Sequence, residues 1–199
     1  MDQHLASLPN GGQNALGTNW DAGDIMYKDL NGDGKIDNGG NKYDDMGDMK
    51  KIGNNTPRYL FGLDLNADYK GFDFRAFFQG VMKRDYWQGS AYFWGATSLW
   101  HSTGFVEHAD YFRAEASNDL PANLNAYYPR PVFDSSKNRQ RQTAYLQSAA
   151  YIRLKNVQLG YTLPANLTHK FYVSKLRVFV SGENLWTGTS LANMFDPET

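Results

Sequence analysis

The residues best suited to chemistry lie in "YKDLNGDGKIDNGG", Tyr27 to Gly40. An EF-hand-type calcium loop takes side-chain oxygens from positions one, three, five and nine and a main-chain carbonyl from position seven, with Gly at six. Counting from Asp29, the ligands are Asp29, Asn31, Asp33, Lys35 through its carbonyl, and Asp37, with Gly34 at the turn. Calcium wants about six to eight hard oxygens, and this spacing lets one turning loop face several inward. The pattern predicts a structural Ca2+ site of the weak extracellular class, with Kd on the order of 10⁻⁴–10⁻³ M. Position twelve is Gly40 instead of a bidentate acid, so Asp44 or Asp45 is the candidate for the missing carboxylate. No helices are signalled on either side, which excludes an EF-hand pair. The same residues also suit Asx turns with solvated acids, and spacing alone leaves both readings open.

A second group is aromatic: Tyr86, Trp87, Tyr92, Phe93, Trp94 and Trp100. Such rings stack on sugars, anchor protein interfaces or sit at a membrane interface. Trp87, Trp94 and Trp100 are therefore candidates for contact with a ligand or a partner protein. Catalysis finds less support. His4, His101, His108 and His169 form no H-E-x-x-H pattern, and no G-x-S-x-G nucleophile elbow exists. Glu107, His108 and Asp110 are close only along the chain. Gly32 and Gly34 begin a G-x-G, but Asp37 stands where the third Gly of a dinucleotide loop belongs. No enzyme is expected.

Composition narrows the partners. Lys+Arg number 20 against Asp+Glu 21 in 199 residues, so nucleic acid is not expected. No polybasic run suggests a lipid surface. Cysteine is absent, which excludes disulfides and thiolate metal sites. No apolar run is long enough for a membrane-spanning helix, and the start, MDQHLASLPNGGQ, lacks a secretory-signal profile. Aromatics at 15% with many Gly, Asn and Asp favour strands and turns over helices.

The elements that must carry these groups are strands. In RYLFGLDLNADY, Tyr59, Phe61, Leu63, Leu65, Ala67 and Tyr69 alternate with Asp64, Asn66 and Asp68. Lys70-Gly71 leads into FDFRAFFQG, where Phe72, Phe74, Ala76 and Phe78 alternate with Asp73, Arg75 and Gln79. The pair reads as a β-hairpin. In AAYIRLKNVQLGYTLP the apolar parity switches at Lys155-Asn156, which predicts a β-bulge restoring one outward face. SKLRVFVSGENL gives a fourth strand. The organisation is a loop-rich segment over 1–57 with the calcium-type loop at 29–37, then a hairpin over 58–83. A long loop over 84–147 follows, with a weakly signalled helix near 106–116. A bulged hairpin over 148–186 and the start of another loop over 187–199 complete the chain. Alternation of this kind fits part of an outer-membrane β-barrel, with short inner turns and long outer loops. It fits a soluble calcium-stabilised glycan-binding β-sandwich equally well.

Four strings, in order, add a resemblance: "GDIMYKDLNGDGKID", "YLFGLDLNADYKGFDFRAFFQG", "YIRLKNVQLGYTLP" and "LRVFVSGENLWT…FDPE". Together they resemble the C-terminal barrel segment of SusC/RagA-type TonB-dependent outer-membrane transporters of Bacteroidetes. The resemblance implies an all-β fold: antiparallel up-and-down strands, part of a ~22-stranded outer-membrane β-barrel with long outer loops and a plug. It implies import of oligosaccharide or peptide solutes, a SusD-like lipoprotein as lid, TonB engaged through an N-terminal part this sequence does not include, and outer-membrane lipid around the strands. The family's plug and last strand are also missing from this sequence, so a fragment is expected. The inward face would carry Asp64, Asn66, Asp68, Asp73, Arg75 and Gln79, and Trp87, Trp94 and Trp100 become candidate solute or lid contacts.

Overall fold

Period-two alternation in a chain that turns at Gly and Asn has few outcomes besides an antiparallel sheet, and that is what forms. The computed structural model describes residues 12–95, 97, 98, 100, 103–117 and 119–198. His4 and His101 lie outside the described residues. Strands β1 (Arg58–Tyr69), β2 (Phe72–Lys83), β3 (Asp85–Trp87), β4 (Leu146–Ser148), β5 (Tyr151–Thr162) and β6 (Arg177–Thr189) make two sheets. One is four-stranded in the order β1-β2-β5-β6; the other pairs β3 with β4. All pairings between these strands are antiparallel.

Lys70 and Gly71 both take positive φ, 48° and 89°, the backbone a two-residue hairpin needs. A Cβ on Gly71 would come within 2.9 Å of the Thr162 carbonyl oxygen, so only Gly fits there. Register then sorts the faces. Leu63, Leu65, Ala67 and Tyr69 pair with Phe78, Ala76, Phe74 and Phe72. Those four pair in turn with Leu154, Val157, Leu159 and Tyr161. The expected bulge is present: the register shifts between Leu154 and Asn156, leaving Lys155 unpaired and putting Leu154 and Val157 on one side. Without it, every apolar residue beyond Asn156 would face the polar side. The opposite face carries Asp64, Asn66, Asp68, Asp73, Arg75, Gln79, Gln158 and Ser181 in matching rows.

The apolar face is not a buried core. Leu63, Leu65, Phe72, Phe74, Leu159, Val178 and Val180 remain between 40% and 67% exposed. A β-sandwich would bury these side chains against its second sheet; here they stay open, and the sandwich alternative fails on that point. No helix among the described residues is long and apolar enough to cross a membrane, which does not bear on crossing by strands.

The chain divides into two units: the strands with residues 53–87 and 145–199, and a loop unit of residues up to 52 with 88–144. Within the loop unit, the helix expected near 106–116 shrinks to one 3₁₀ turn, Val106–Ala109. The cause is local competition. A continuing α-helix would send the Arg113 amide to the Ala109 carbonyl; instead that amide goes to Asn123 O at 3.0 Å. The Arg113 guanidinium takes the carbonyls of Ala109 and Pro121 at 2.7 and 2.8 Å. The fourth strand also runs further than the boundary at 186, since Thr187 and Thr189 still pair with Arg153 and Tyr151.

Candidate functional site

The acidic loop belongs to the loop unit and is anchored by Ile36, which is buried and donates its amide to Gly12 O at 2.8 Å. Gln13, also buried, bonds Ile25 O and the Tyr27 amide at 3.0 and 3.1 Å. Within the loop, Asp29 accepts the amides of Gly32 and Gly34 at 2.6 and 2.9 Å. Gly34 supplies the positive φ of 81° that this turn requires. Asn31 accepts the Asp33 amide, and Asp33 the Lys35 amide, each at 3.0 Å. Lys35 Nζ lies 2.9 Å from Asp37 Oδ2 and 3.9 Å from Asp33 Oδ2. The Lys35 ammonium, with the Gly39 amide, holds the Asp37 carboxyl below its ordinary range.

A further acid, Asp48, closes on this loop through both its backbone and its side chain. Residues 38–47 turn back on themselves, and the Asp48 amide donates to Asp37 O at 2.9 Å. The Asp48 carboxylate then accepts the amides of Leu30 and Asp37 at 2.6 and 2.9 Å. Asp45 serves a different purpose, accepting the Gly40 amide at 2.7 Å. The side-chain oxygens of this loop are those of Asp29, Asn31, Asp33 and Asp37, with Asp48 bonded beside them through the amides of Leu30 and Asp37. The donors fit a hard cation in kind. Their arrangement is closed on loop amides and on Lys35, and among the described residues no three His, Cys, Asp or Glu side chains converge as a metal cluster.

The three tryptophans separate. Trp94 ends a four-residue helix, Ala91–Trp94, whose first turn is capped by Ser90. Its indole donates to Gln88 O at 2.9 Å, and its ring meets Phe93 edge-on at 5.2 Å. Phe93 is fully buried and also packs on Tyr128 at 5.5 Å. His108 braces this cluster: Nδ1 accepts the Phe105 amide at 2.8 Å, so the neutral ring carries its proton on Nε2, 3.0 Å from Phe93 O. Burial pushes the Tyr128 phenol up to about 12. Trp94 is thus half-buried and packed on Phe93, whereas Trp100 is 93% exposed. Trp87 lies half-buried in β3, paired with Leu146 of β4.

Two charged clusters have no local signature in the sequence. Asp24, buried in the loop unit, accepts from Lys137 Nζ at 2.8 Å, Arg130 at 2.7 Å and Asn138 at 2.8 Å. Burial pushes its carboxyl up, but the donors from Arg130, Lys137 and Asn138 outweigh this and leave it below the ordinary range. In the strand unit, Arg153 bonds Thr187 at 2.7 Å and pairs with Asp196 and Glu198 at 2.8 and 2.6 Å. Those acids belong to the "FDPE" string. On the polar face, Asp64 pairs with Arg75, and Asp73 with Arg177. The strand unit thus has a face of ion-paired polar side chains and an apolar face that stays open.

No protein-family model matches the chain. It is 32% identical over 178 residues to the TonB-dependent receptor P3 of Formosa agariphila, covering 89% of this chain and 16% of that protein. It is 28% identical over 179 residues to the TonB-dependent receptor P26 of the same organism, again covering 16% of the relative. In fold it is similar to the RagAB peptide transporter, with a TM-score of 0.54 and 25% identity over 75% of this chain and 16% of the other. The open-open state of the RagAB peptide importer gives 0.50 at 25% identity over 72% of this chain and 15% of the other. The chain thus spans about a sixth of the length of the curated relatives it matches, 16% of each.

Proposed function

From a resemblance to SusC/RagA-type TonB-dependent receptors that holds in sequence and in fold, we propose that this chain is barrel wall and outer loop of an outer-membrane importer. The observation that carries the reading is the uncovered apolar face, continuous over four strands and backed by a polar one. Lipid contact accounts for the first face and a hydrated lumen for the second. The barrel has ~22 strands in this reading, and the strands above supply four of them. The solute is an oligosaccharide or peptide, a SusD-like surface lipoprotein closes the outer mouth, and TonB supplies the energy. The reading assigns no catalytic step to the chain.

The test uses the full-length receptor in its native outer membrane. Uptake of labelled oligomeric solute should require TonB, and the receptor should co-purify with a SusD-like lipoprotein. A full-length protein that stays monodisperse in buffer without detergent would overturn the reading.

We propose further that the acidic loop binds calcium. Asp29, Asn31, Asp33, the Lys35 carbonyl, Asp37 and Asp48 form a set of hard oxygens on one turning loop, which supports a weak structural Ca2+ site once Lys35 Nζ swings away. The ion would brace the loop and take no part in transport chemistry.

A further inference from the structure

The connection between β5 and β6 differs from the two-residue turn between β1 and β2. It contains a short helix, Ala165–Thr168, and a 3₁₀ turn, His169–Phe171. Its ends are tied by the Leu163 amide on Leu176 O at 2.9 Å, and its interior by the Val173 amide on Thr168 O at 3.2 Å. Thr168 is buried, so the turn has a fixed shape. The large apolar groups nevertheless point away from it: Phe171 is 77% exposed and Tyr172 100%, with Leu167 also exposed. Tyr172 is held in the left-handed region at φ 57°.

Single exposed apolar residues need no explanation. Here two further observations bear on what covers them. The segment from Leu163 to Leu176 carries His169, Lys170 and Lys175 and no Asp or Glu. The turn also adjoins a largely aromatic row: Tyr69, Phe72, Tyr161 and Val178 are register partners across all four strands at this end of the sheet. In that row the Phe72 and Tyr161 rings lie 4.4 Å apart. Apolar rings beside lysines, next to the open apolar face of a sheet, are the composition of an interfacial membrane contact.

We infer that the Leu163–Leu176 turn is a membrane anchor: Leu167, Phe171 and Tyr172 enter the headgroup layer, and Lys170 and Lys175 select phospholipids with anionic headgroups. The inference rests on the barrel reading above.

The experiment uses the full-length receptor in a cysteine-free background, reconstituted into vesicles of phosphatidylcholine and phosphatidylglycerol. Tyr172→Cys and, separately, Leu65→Cys carry an environment-sensitive fluorophore. The label at 172 should be quenched by a headgroup-level spin-labelled lipid and shielded from aqueous iodide. The label at 65 should be quenched by a lipid labelled near the bilayer centre. Lys170→Ser with Lys175→Ser should lower the enrichment of spin-labelled phosphatidylglycerol at 172 by about fivefold per lysine removed. If 65 is quenched and 172 is open to iodide, or shielded from iodide and lipid alike, the anchor is overturned and the barrel stands. If 65 is not quenched, both fall. Unchanged phosphatidylglycerol enrichment in the lysine variant overturns the headgroup selection.

Discussion

Arg177 on β6 bonds Asp73 on β2 across the full width of the strand between them, with its Nε 2.9 Å from Asp73 Oδ1. The bridge passes over Gly160, where a Cβ would lie 2.6 Å from the guanidinium and from both carboxylate oxygens. Gly80 also leaves room, but for something rigid: a Cβ there would meet the Tyr151 carbonyl oxygen at 2.2 Å and the Phe61 ring at 2.7 Å. The two glycines should therefore respond differently. Gly160→Ala displaces the ends of two flexible side chains and leaves a folded barrel. Gly80→Ala forces backbone apart, an overpacking cost of about 1–3 kcal/mol. Heat-modifiable migration of the full-length receptor on gels should survive the first change and weaken with the second. Equal migration of both variants would contradict this difference.

Asp24 should be the most sensitive single position in the loop unit. Asp24→Asn leaves Lys137 buried with its charge unanswered, at a cost of about 3–5 kcal/mol. The sign with pH follows from the depressed carboxyl. Its contribution is complete above the ordinary value of 3.8 and is lost as pH falls below that through the folded value. Hydrogen exchange at Ile25, whose amide rests on Asn138 at 2.9 Å, reports the opening. Protection that is unchanged from pH 5 down to about 2 would remove Asp24 from this role.

Much of the strand unit was legible because its information is local. Alternation marks β1 and β2, Lys70-Gly71 marks their turn, and the parity switch marks the bulge opposite Phe77 and Phe78. The Asp24–Lys137 pair was not legible, since 113 residues separate partners that no local pattern links. Asp48 has no local signature for a related reason: the excursion over 38–47 separates it in sequence from Leu30 and Asp37, whose amides it accepts. Trp94 and Trp100 look alike in sequence; burial alone distinguishes them.

The calcium reading has its own discriminating pair. Calcium at millimolar level should slow proteolysis within 29–48 of the full-length receptor, and equal cleavage with calcium and with chelator would end the idea. Asp48→Asn should weaken terbium or calcium binding on the order of tenfold or more, while Asp44→Asn should leave it unchanged. The opposite pattern would return the twelfth position to Asp44.

Trp100 and Trp94 invite a comparison in which stability and contact separate. Trp94→Ala removes an indole bonded to Gln88 O and packed on Phe93, at a cost of up to about 3 kcal/mol to the loop unit. Any loss of partner binding in that variant would follow from the loosened loop. Trp100 is 93% exposed, so Trp100→Ala should change stability by less than about 0.5 kcal/mol. A weakened lid or solute contact in this variant would therefore be direct. Co-purification of the SusD-like lipoprotein and binding of solute, measured separately, identify which contact it is. Full retention of both would leave Trp100 with neither role.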